Sequence, residues 1–462
     1  MMKQPNVIVF FTDQQRFDTT GVHGNPLGLT PNFDRIARAG THLYNMFTCQ
    51  PVCGPARSCL QTGQYATTTG CYRNGIPLPL ESRTMAHYFK DAGYNTSYIG
   101  KWHLGSEDPV PVHERGGYEE WLGANLLEFV SDAYDAVLFN NDNNRVKFPG
   151  YRVDAQTDAA VRYIQKQQEM ENPFFLFLSY LEPHHQNYSD NYPAPDGMEE
   201  MYASRWTPPD LAALGGTAHQ HLGGYYGMVK RLDEALGRLL DALKSLNMLE
   251  NTIILFTSDH GNHFKTRNGE YKRSCHESSI RVPTAIYGPG FMGGGQIRDL
   301  VSLVDLPPTL LDAVGIKVPS DMQGMSIVPL VYRRIADWPK EVLVQISESM
   351  IGRAIRTDRW KYCVVDPNTN GSERAGSDCY EEAFLYDLQA DPYELNNLIG
   401  LETFNSVTAE LRARLQARMV EIGETLPKIV PAQSRAPGQR SVTITEMKHH
   451  DWPKHGAATD KI

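Results

Sequence analysis

Residues 6–14 read Asn6-Val-Ile-Val-Phe-Phe-Thr-Asp13-Gln14, an apolar run that stops abruptly at a carboxylate and an amide. A run that is continuous instead of alternating suits a parallel strand covered on both faces. Similar short runs stand at residues 95–99, 174–178, 252–256 and 284–287, and all are read as buried parallel strands. Helical patterns with readable ends lie between them. Thr30-Pro31 opens one that closes at Gly40, and Thr84 opens another that closes at Gly93. Residues 225–246 form a long amphipathic stretch, and Asp305-Leu-Pro-Pro starts a shorter helix ending at Gly315. Strands alternating with helices predict an α/β fold around a large, mostly parallel sheet.

The pattern changes near residue 341. Segments 342–346, 352–356, 360–365 and 383–387 are strand-like and joined by turn residues, which predicts a small antiparallel sheet, followed by a helix near 404–422. The expected division is a catalytic α/β domain over 1–340, a C-terminal subdomain over 341–426, and a tail over 427–462 that wraps the surface or mediates contacts.

Polar residues of ligand type follow directly on the apolar runs: Asp13-Gln14, then Lys101 and His103, then His184, then Asp259-His260. Ligands of open α/β sheets bind at the carboxyl ends of the strands, so these clusters should converge on one site. A single Asp after a strand is commonly a turn or cap residue. Repetition at successive strand ends is what separates a site from that simpler explanation. Around Cys53 the chain reads Pro51-Val-Cys-Gly-Pro55-Ala-Arg57, and Pro55 suits the first turn of a helix. Cys53 therefore sits at or just before a helix N-terminus, where backbone N–H groups favour anions and lower a thiol pKa.

The 462 residues are 41% hydrophobic and 21% charged, ordinary for a globular protein, and the formal net charge of −10 gives no basic footprint for nucleic acid. No run approaches the ~18 apolar residues of a membrane span, and the N-terminal run lacks a small-residue cleavage site. The seven cysteines are scattered without a CxxC pair and are not read as a disulfide framework. A cytoplasmic protein without membrane or nucleic-acid partners is expected. His42, His87, His113, His219 and the run Lys448-His-His450 are expected to do no chemistry, Cys49, Cys59 and Cys71 to be packing thiols, and Trp102 to be core.

Cys53-Gly-Pro55-Ala-Arg57, continued by Leu60-Gln-Thr62-Gly63, resembles the signature CxPxR…LTG of the formylglycine-dependent sulfatases, within the alkaline phosphatase-like superfamily. The segments Thr12-Asp-Gln-Gln15, Gly100-Lys-Trp-His-Leu-Gly105, Ser258-Asp-His-Gly261, Glu277-Ser-Ser-Ile-Arg-Val-Pro283 and Leu385-Tyr-Asp-Leu extend the resemblance over most of the chain. It implies an alkaline phosphatase-like sandwich with a smaller C-terminal antiparallel sheet, and a Cys53 oxidised to formylglycine by a dedicated maturation enzyme. Asp13, Gln14, Asp259, His260 and the modified Cys53 would hold a divalent metal. Gln14 stands where many relatives have Asp, and His260 where many have Asn. Oxygen-rich sites favour Ca²⁺, while the imidazole admits Mn²⁺ or Zn²⁺. Lys101, His103, His184 and Lys272 match the sulfate-pocket cations, and Arg57 would hold the formylglycine. His185 beside His184 departs from the family form, leaving open which imidazole faces the site. Asn74 could line the pocket, although a turn role suits Arg73-Asn-Gly better.

The reaction so implied is hydrolysis of a small sulfate ester, with a carbohydrate sulfate as the working expectation. One hydroxyl of hydrated formylglycine attacks sulfur, His184 and Lys272 assist the departing alcohol oxygen, and His103 deprotonates the second hydroxyl to expel sulfate. Segment 187–206 should form a loop near His184 that selects the alcohol. The rival readings are a phosphonate monoester or phosphodiester hydrolase of the same superfamily, against which the Lys101–His103 pair stands, and a non-catalytic binding protein with an unmodified Cys53.

Overall fold

A computed structural model describes residues 4–335 and 337–437. Its strands, in chain order, are β1 (Asn6–Thr12), β2 (Thr41–Phe47), β3 (Asn95–Lys101), β4 (Glu120–Ala124), β5 (Ala136–Phe139), β6 (Arg145–Phe148), β7 (Phe174–Ser179), β8 (Thr252–Ser258), β9 (Ala285–Tyr287) and β10 (Gly295–Ser302). They form one sheet in the order β10-β2-β9-β8-β1-β7-β3-β4-β5-β6. The run that opens the chain is central. β1 pairs in parallel with β8 on one side and β7 on the other, and β3 pairs in parallel with β7.

Burial on both faces accounts for the unbroken apolar runs. Along β1, Val7, Val9 and Phe11 enter one core cluster while Ile8 and Phe10 enter the other; in β7, Phe175 and Phe177 oppose Phe174, Leu176 and Leu178. The first face is covered by helices Cys53–Thr62, Met85–Asp91 and Leu306–Ala313, the second by Pro31–Ala39, Arg152–Gln167 and Ala218–Ser245. The last of these starts seven residues before the periodic stretch 225–246. Residues 218–224 carry two histidines and two glycines, which hide the helical period, and Gly224 is needed there because a Cβ would meet the Tyr192 carbonyl oxygen at 2.3 Å.

A second sheet holds β11 (Glu341–Ile346), β12 (Ile351–Thr357), β13 (Trp360–Asp366), β14 (Cys379–Asp387) and β15 (Lys428–Val430) in that order. Its first four strands are antiparallel, and helix Asn405–Glu421 follows. β15 adds to β14 in parallel, so the start of the 427–462 tail is structural; residues 438–462, including the Lys448-His-His450 run, lie outside the described residues. Leu343, Ile355 and Tyr362 share a core cluster with Val7 and Phe11, and Phe47, Ile280 and Leu300 pack with Val344 and Cys363.

The reading of 284–287 as a parallel strand is corrected. β9 runs antiparallel to both β8 and β2. Between β8 and β9 the only helix is the short Glu277–Ile280, so the chain never crosses back to the start of the sheet and must return in reverse from the carboxyl end. All seven cysteines are free, and among the described residues no helix is long and apolar enough to cross a membrane.

Candidate active site

The four strands whose ends carry ligand-type residues are neighbours in the sheet, β8-β1-β7-β3, so their carboxyl ends form one continuous floor. At two of these ends the backbone turns through the left-handed region in a residue other than glycine: Gln14 at φ 67° and His103 at φ 60°. Such conformations cost of order 1–3 kcal/mol and gather where a side chain must be aimed. The Asp13 N–H donates to the Glu182 carbonyl and the Asp259 N–H to the Thr12 carbonyl, tying the three loops together.

Cys53 opens its helix, as the Pro55 position suggested. Its Sγ lies 3.5 Å from Asp13 Oδ1 and 3.3 Å from His260 Nε2, and accepts from Lys272 Nζ at 2.8 Å. Ligand atoms of Asp13, Cys53, Asp259 and His260 all fall within 4.8 Å of one another, and all four residues are buried. His260 Nδ1 is 2.9 Å from the Gly261 carbonyl oxygen. That oxygen can only accept, so in the neutral ring Nδ1 carries the proton and Nε2 turns its lone pair toward the cluster. Asp259 Oδ1 accepts from the N–H groups of Gln14 and His260, whereas Oδ2 accepts no hydrogen bond. The Gln14 amide nitrogen points at the Tyr192 hydroxyl, 3.4 Å away, and Gln14 Oε1 is buried without a donor. Paired carboxylates, an imidazole lone pair and an unpartnered amide oxygen form a donor set that fits a divalent cation.

The charges around this cluster are arranged in depth. Behind Asp13, Arg57 donates to its Oδ2 at 2.9 Å and also to the Lys101 carbonyl and the Ser179 hydroxyl. Lys101 Nζ lies 2.9 Å from the same Oδ2 and 3.0 Å from Glu128 Oε1. Burial raises the Asp13 pKa, but the charges of Lys101, Arg57 and Lys272 outweigh it and hold the carboxyl well below its ordinary range. Asp259 goes the other way: burial and the Asp13 charge push it up to about 7. Two buried carboxylates so close favour a further positive charge between them. The Cys53 thiol is pushed up by burial and Asp13, yet Lys101, Lys272 and His260 bring it down to about 6.

Above Cys53 a cavity of about 280 Å³ opens, lined among others by His103, Glu128, His184, His185, Asn187 and Lys272. His184 Nδ1 sits 2.6 Å from the His185 carbonyl and its Nε2 lies 3.2 Å from Lys272 Nζ, so His184 is the imidazole beside the nucleophile position. His185 stacks on it with ring centroids 4.3 Å apart and also reaches the cavity. Burial and the Lys272 charge keep His184 neutral, and burial with Lys101 depresses His103 to about 3. Lys101 and Arg57 are not on the cavity wall; they act from beneath it. Trp102, Cys49, Cys59 and Cys71 are buried in the core as expected.

The sequence reading set Asn74 behind a turn role and named neither Glu128 nor the wall residues Lys265, Gly269, Glu270, Tyr271 and Arg273. Asn74 does occupy a turn, but its Oδ1 also accepts from the Gly54 N–H at 2.9 Å and it lines the cavity, so the turn role alone is corrected. Glu128 lies four residues beyond β4, whose Trp and Gly disguise it as a strand; the strand-end rule would have found it had β4 been read. The 187–206 segment contributes Asn187 to the wall and folds a short helix at Met198–Tyr202.

A sequence profile described as Sulfatase matches residues 5–316, and one described as N-sulphoglucosamine sulphohydrolase, C-terminal, matches 269–421. The chain is similar to an ulvan-active sulfatase of Formosa agariphila, 32% identical over 439 residues, covering 91% of this chain and 82% of that one. Among solved structures it is similar to a putative sulfatase from Bacteroides fragilis, with TM-score 0.77, 25% identity and coverage of 92% and 97%. A second, solved in complex with its substrate D-glucosamine-2-N,6-O-disulfate, gives TM-score 0.75 at 25% identity with 91% and 98% covered. With the strand-end cluster and the Cys53 helix in place, these matches show that the chain belongs to the sulfatase family, the sulfuric ester hydrolases.

Proposed function

We propose that this sulfatase hydrolyses small carbohydrate sulfate esters at Cys53, with that residue converted to formylglycine by a maturation enzyme. The single observation that carries the reading is the position of Cys53 Sγ, between the Asp13–Asp259–His260 cluster and Lys272. Asp13, Asp259, His260, the residue at 53 and Gln14 Oε1 would hold a divalent cation, Ca²⁺ first and Mn²⁺ or Zn²⁺ as alternatives admitted by the imidazole. That cation would supply Lewis acidity at the nucleophile and at a sulfate oxygen. Hydrated formylglycine would supply one hydroxyl to attack sulfur and a second whose deprotonation releases sulfate.

The remaining residues have roles that follow from their contacts. Arg57 and Lys101 neutralise Asp13 from behind and keep its ligand oxygens ionised and aimed. Lys272, charged and in contact with position 53, faces both the sulfate and the departing oxygen. Its partner His184 accepts at Nε2, so the proton that reaches the alcohol oxygen comes from the Lys272–His184 pair. His103 is neutral on the cavity wall, the state a base requires. The sugar preference is supported by the sugar-directed names of the relatives above and by the polar lining of the cavity.

Cys53→Ser tests this directly. A serine offers one hydroxyl and no exit for sulfate, so turnover of 4-nitrophenyl sulfate should fall at least about a thousandfold. Turnover near the wild-type rate would contradict the nucleophile assignment.

A further inference from the structure

Glu128 is a carboxylate in a cavity built to receive an anion, and only half of it is explained by the neighbours. Its Oε1 accepts from Lys101 Nζ at 3.0 Å, while Oε2 is buried with no hydrogen-bond partner although the residue is just 3% exposed and lines the cavity with His103, His184 and Asn187. Burial opposes its ionisation, but the Lys101 charge keeps its pKa below the ordinary carboxylate range. A buried charged acceptor left unpaired is expensive, and a ligand that brings a donor removes the expense. The residue is also firmly placed. It sits on helix Leu127–Val130, and Gln186 Nε2 donates to its carbonyl at 2.6 Å, which fixes this helix to the segment carrying His184 and Asn187.

Resting on the sulfatase reading above, we propose that Glu128 Oε2 is a specificity-determining acceptor for a hydroxyl or amine on the carbon skeleton next to the sulfate ester. A sulfate ester without a neighbouring donor leaves Oε2 unpaired in a closed site. Sites built to hydrogen-bond a substrate hydroxyl reject the analogue lacking it far more strongly than apolar pockets reject a missing methylene.

The test compares kcat/KM for glucose 2-, 3- and 6-sulfates with ring analogues that carry the sulfate at the same position and no hydroxyls, in the matured, metal-loaded wild type and in Glu128→Gln and Glu128→Ala. The best hydroxylated ester should be preferred at least about a hundredfold by the wild type. In both variants its kcat/KM should fall at least about thirtyfold more than that of the matched analogue. Equal losses on both members of the pair would show that Glu128 acts only through Lys101 and would overturn the assignment. No wild-type preference for the hydroxylated member would overturn it as well. Wild-type sulfate release from any ester of the panel separates the two levels. Without it the sulfatase reading fails and takes this assignment with it; with it, a flat pair comparison refutes Glu128 alone.

Discussion

At the scale of single residues, one hydrogen bond decides what each imidazole can do. The Gly261 carbonyl holds the His260 proton on Nδ1, and the His185 carbonyl does the same for His184, so one ring offers Nε2 to a cation and the other to Lys272. His260→Asn exchanges that nitrogen for an oxygen or amide donor. Affinity for Zn²⁺ should fall at least about tenfold relative to Ca²⁺, measured by titration calorimetry on the apoprotein. An unchanged ratio would remove His260 from the ligand set. Asp13, Cys53, Asp259 and His260 were legible in the sequence because each follows a strand run or precedes a helix turn. Glu128 was not, and Asn74 was named for the wall but set behind a turn role, since a short helix and an Asn-Gly turn look the same whether or not they face a site.

Elements carry the site because their ends are held in register. Gly100 in β3 has φ +113°, and a Cβ there would stand 1.8 Å from the Ser179 carbonyl oxygen of β7. Gly100→Ala must part β3 from β7 next to Lys101 and Ser179, the residues on which Arg57 rests. It should lower stability by about 2–4 kcal/mol, read from urea midpoints, and reduce activity together with stability. A wild-type midpoint would mean that the strand pair absorbs the clash. The central strands were readable because burial on both faces leaves continuous apolar runs. β2, β4 and β10 were missed because His, Tyr, Gly and Arg interrupt theirs, β5 and β6 because they are only four residues long, and the direction of β9 depends on a connection that no local pattern encodes.

For the whole molecule, the junction between the two sheets rests on Glu277, buried against Arg356 and Lys361; Lys361 Nζ lies 2.7 Å from its Oε1 and 2.8 Å from Glu394. Burial alone would raise the Glu277 pKa, but Arg356 and Lys361 hold it below the carboxylate range. A depressed folded-state pKa means that its contribution is complete above the unfolded value near 4.5 and is lost as the pH falls toward the folded one. Glu277→Gln should cost about 3 kcal/mol at pH 7.5, and its gap from wild type should narrow progressively below pH 4.5. A gap independent of pH would assign the effect to packing instead of charge. The proposed cation would add a second global term. At a hundred times its Kd, Ca²⁺ should stabilise the wild type by about 2.7 kcal/mol, and a chelator should reverse this. Asp259→Asn should abolish the shift, whereas a full shift in that variant would place the cation elsewhere.

Which ester the Cys53 site prefers decides between a sulfatase and a phosphonate or phosphodiester hydrolase. The deciding measurement is kcat/KM for 4-nitrophenyl sulfate against the matching phenylphosphonate monoester and phosphodiester, on one metal-loaded preparation whose Cys53 conversion has been verified by peptide mass. The sulfate should be preferred. Preference for the phosphonate or the diester would contradict that expectation, and would mean that Gln14 and His260 set the chemistry more than Lys101 and His103 do.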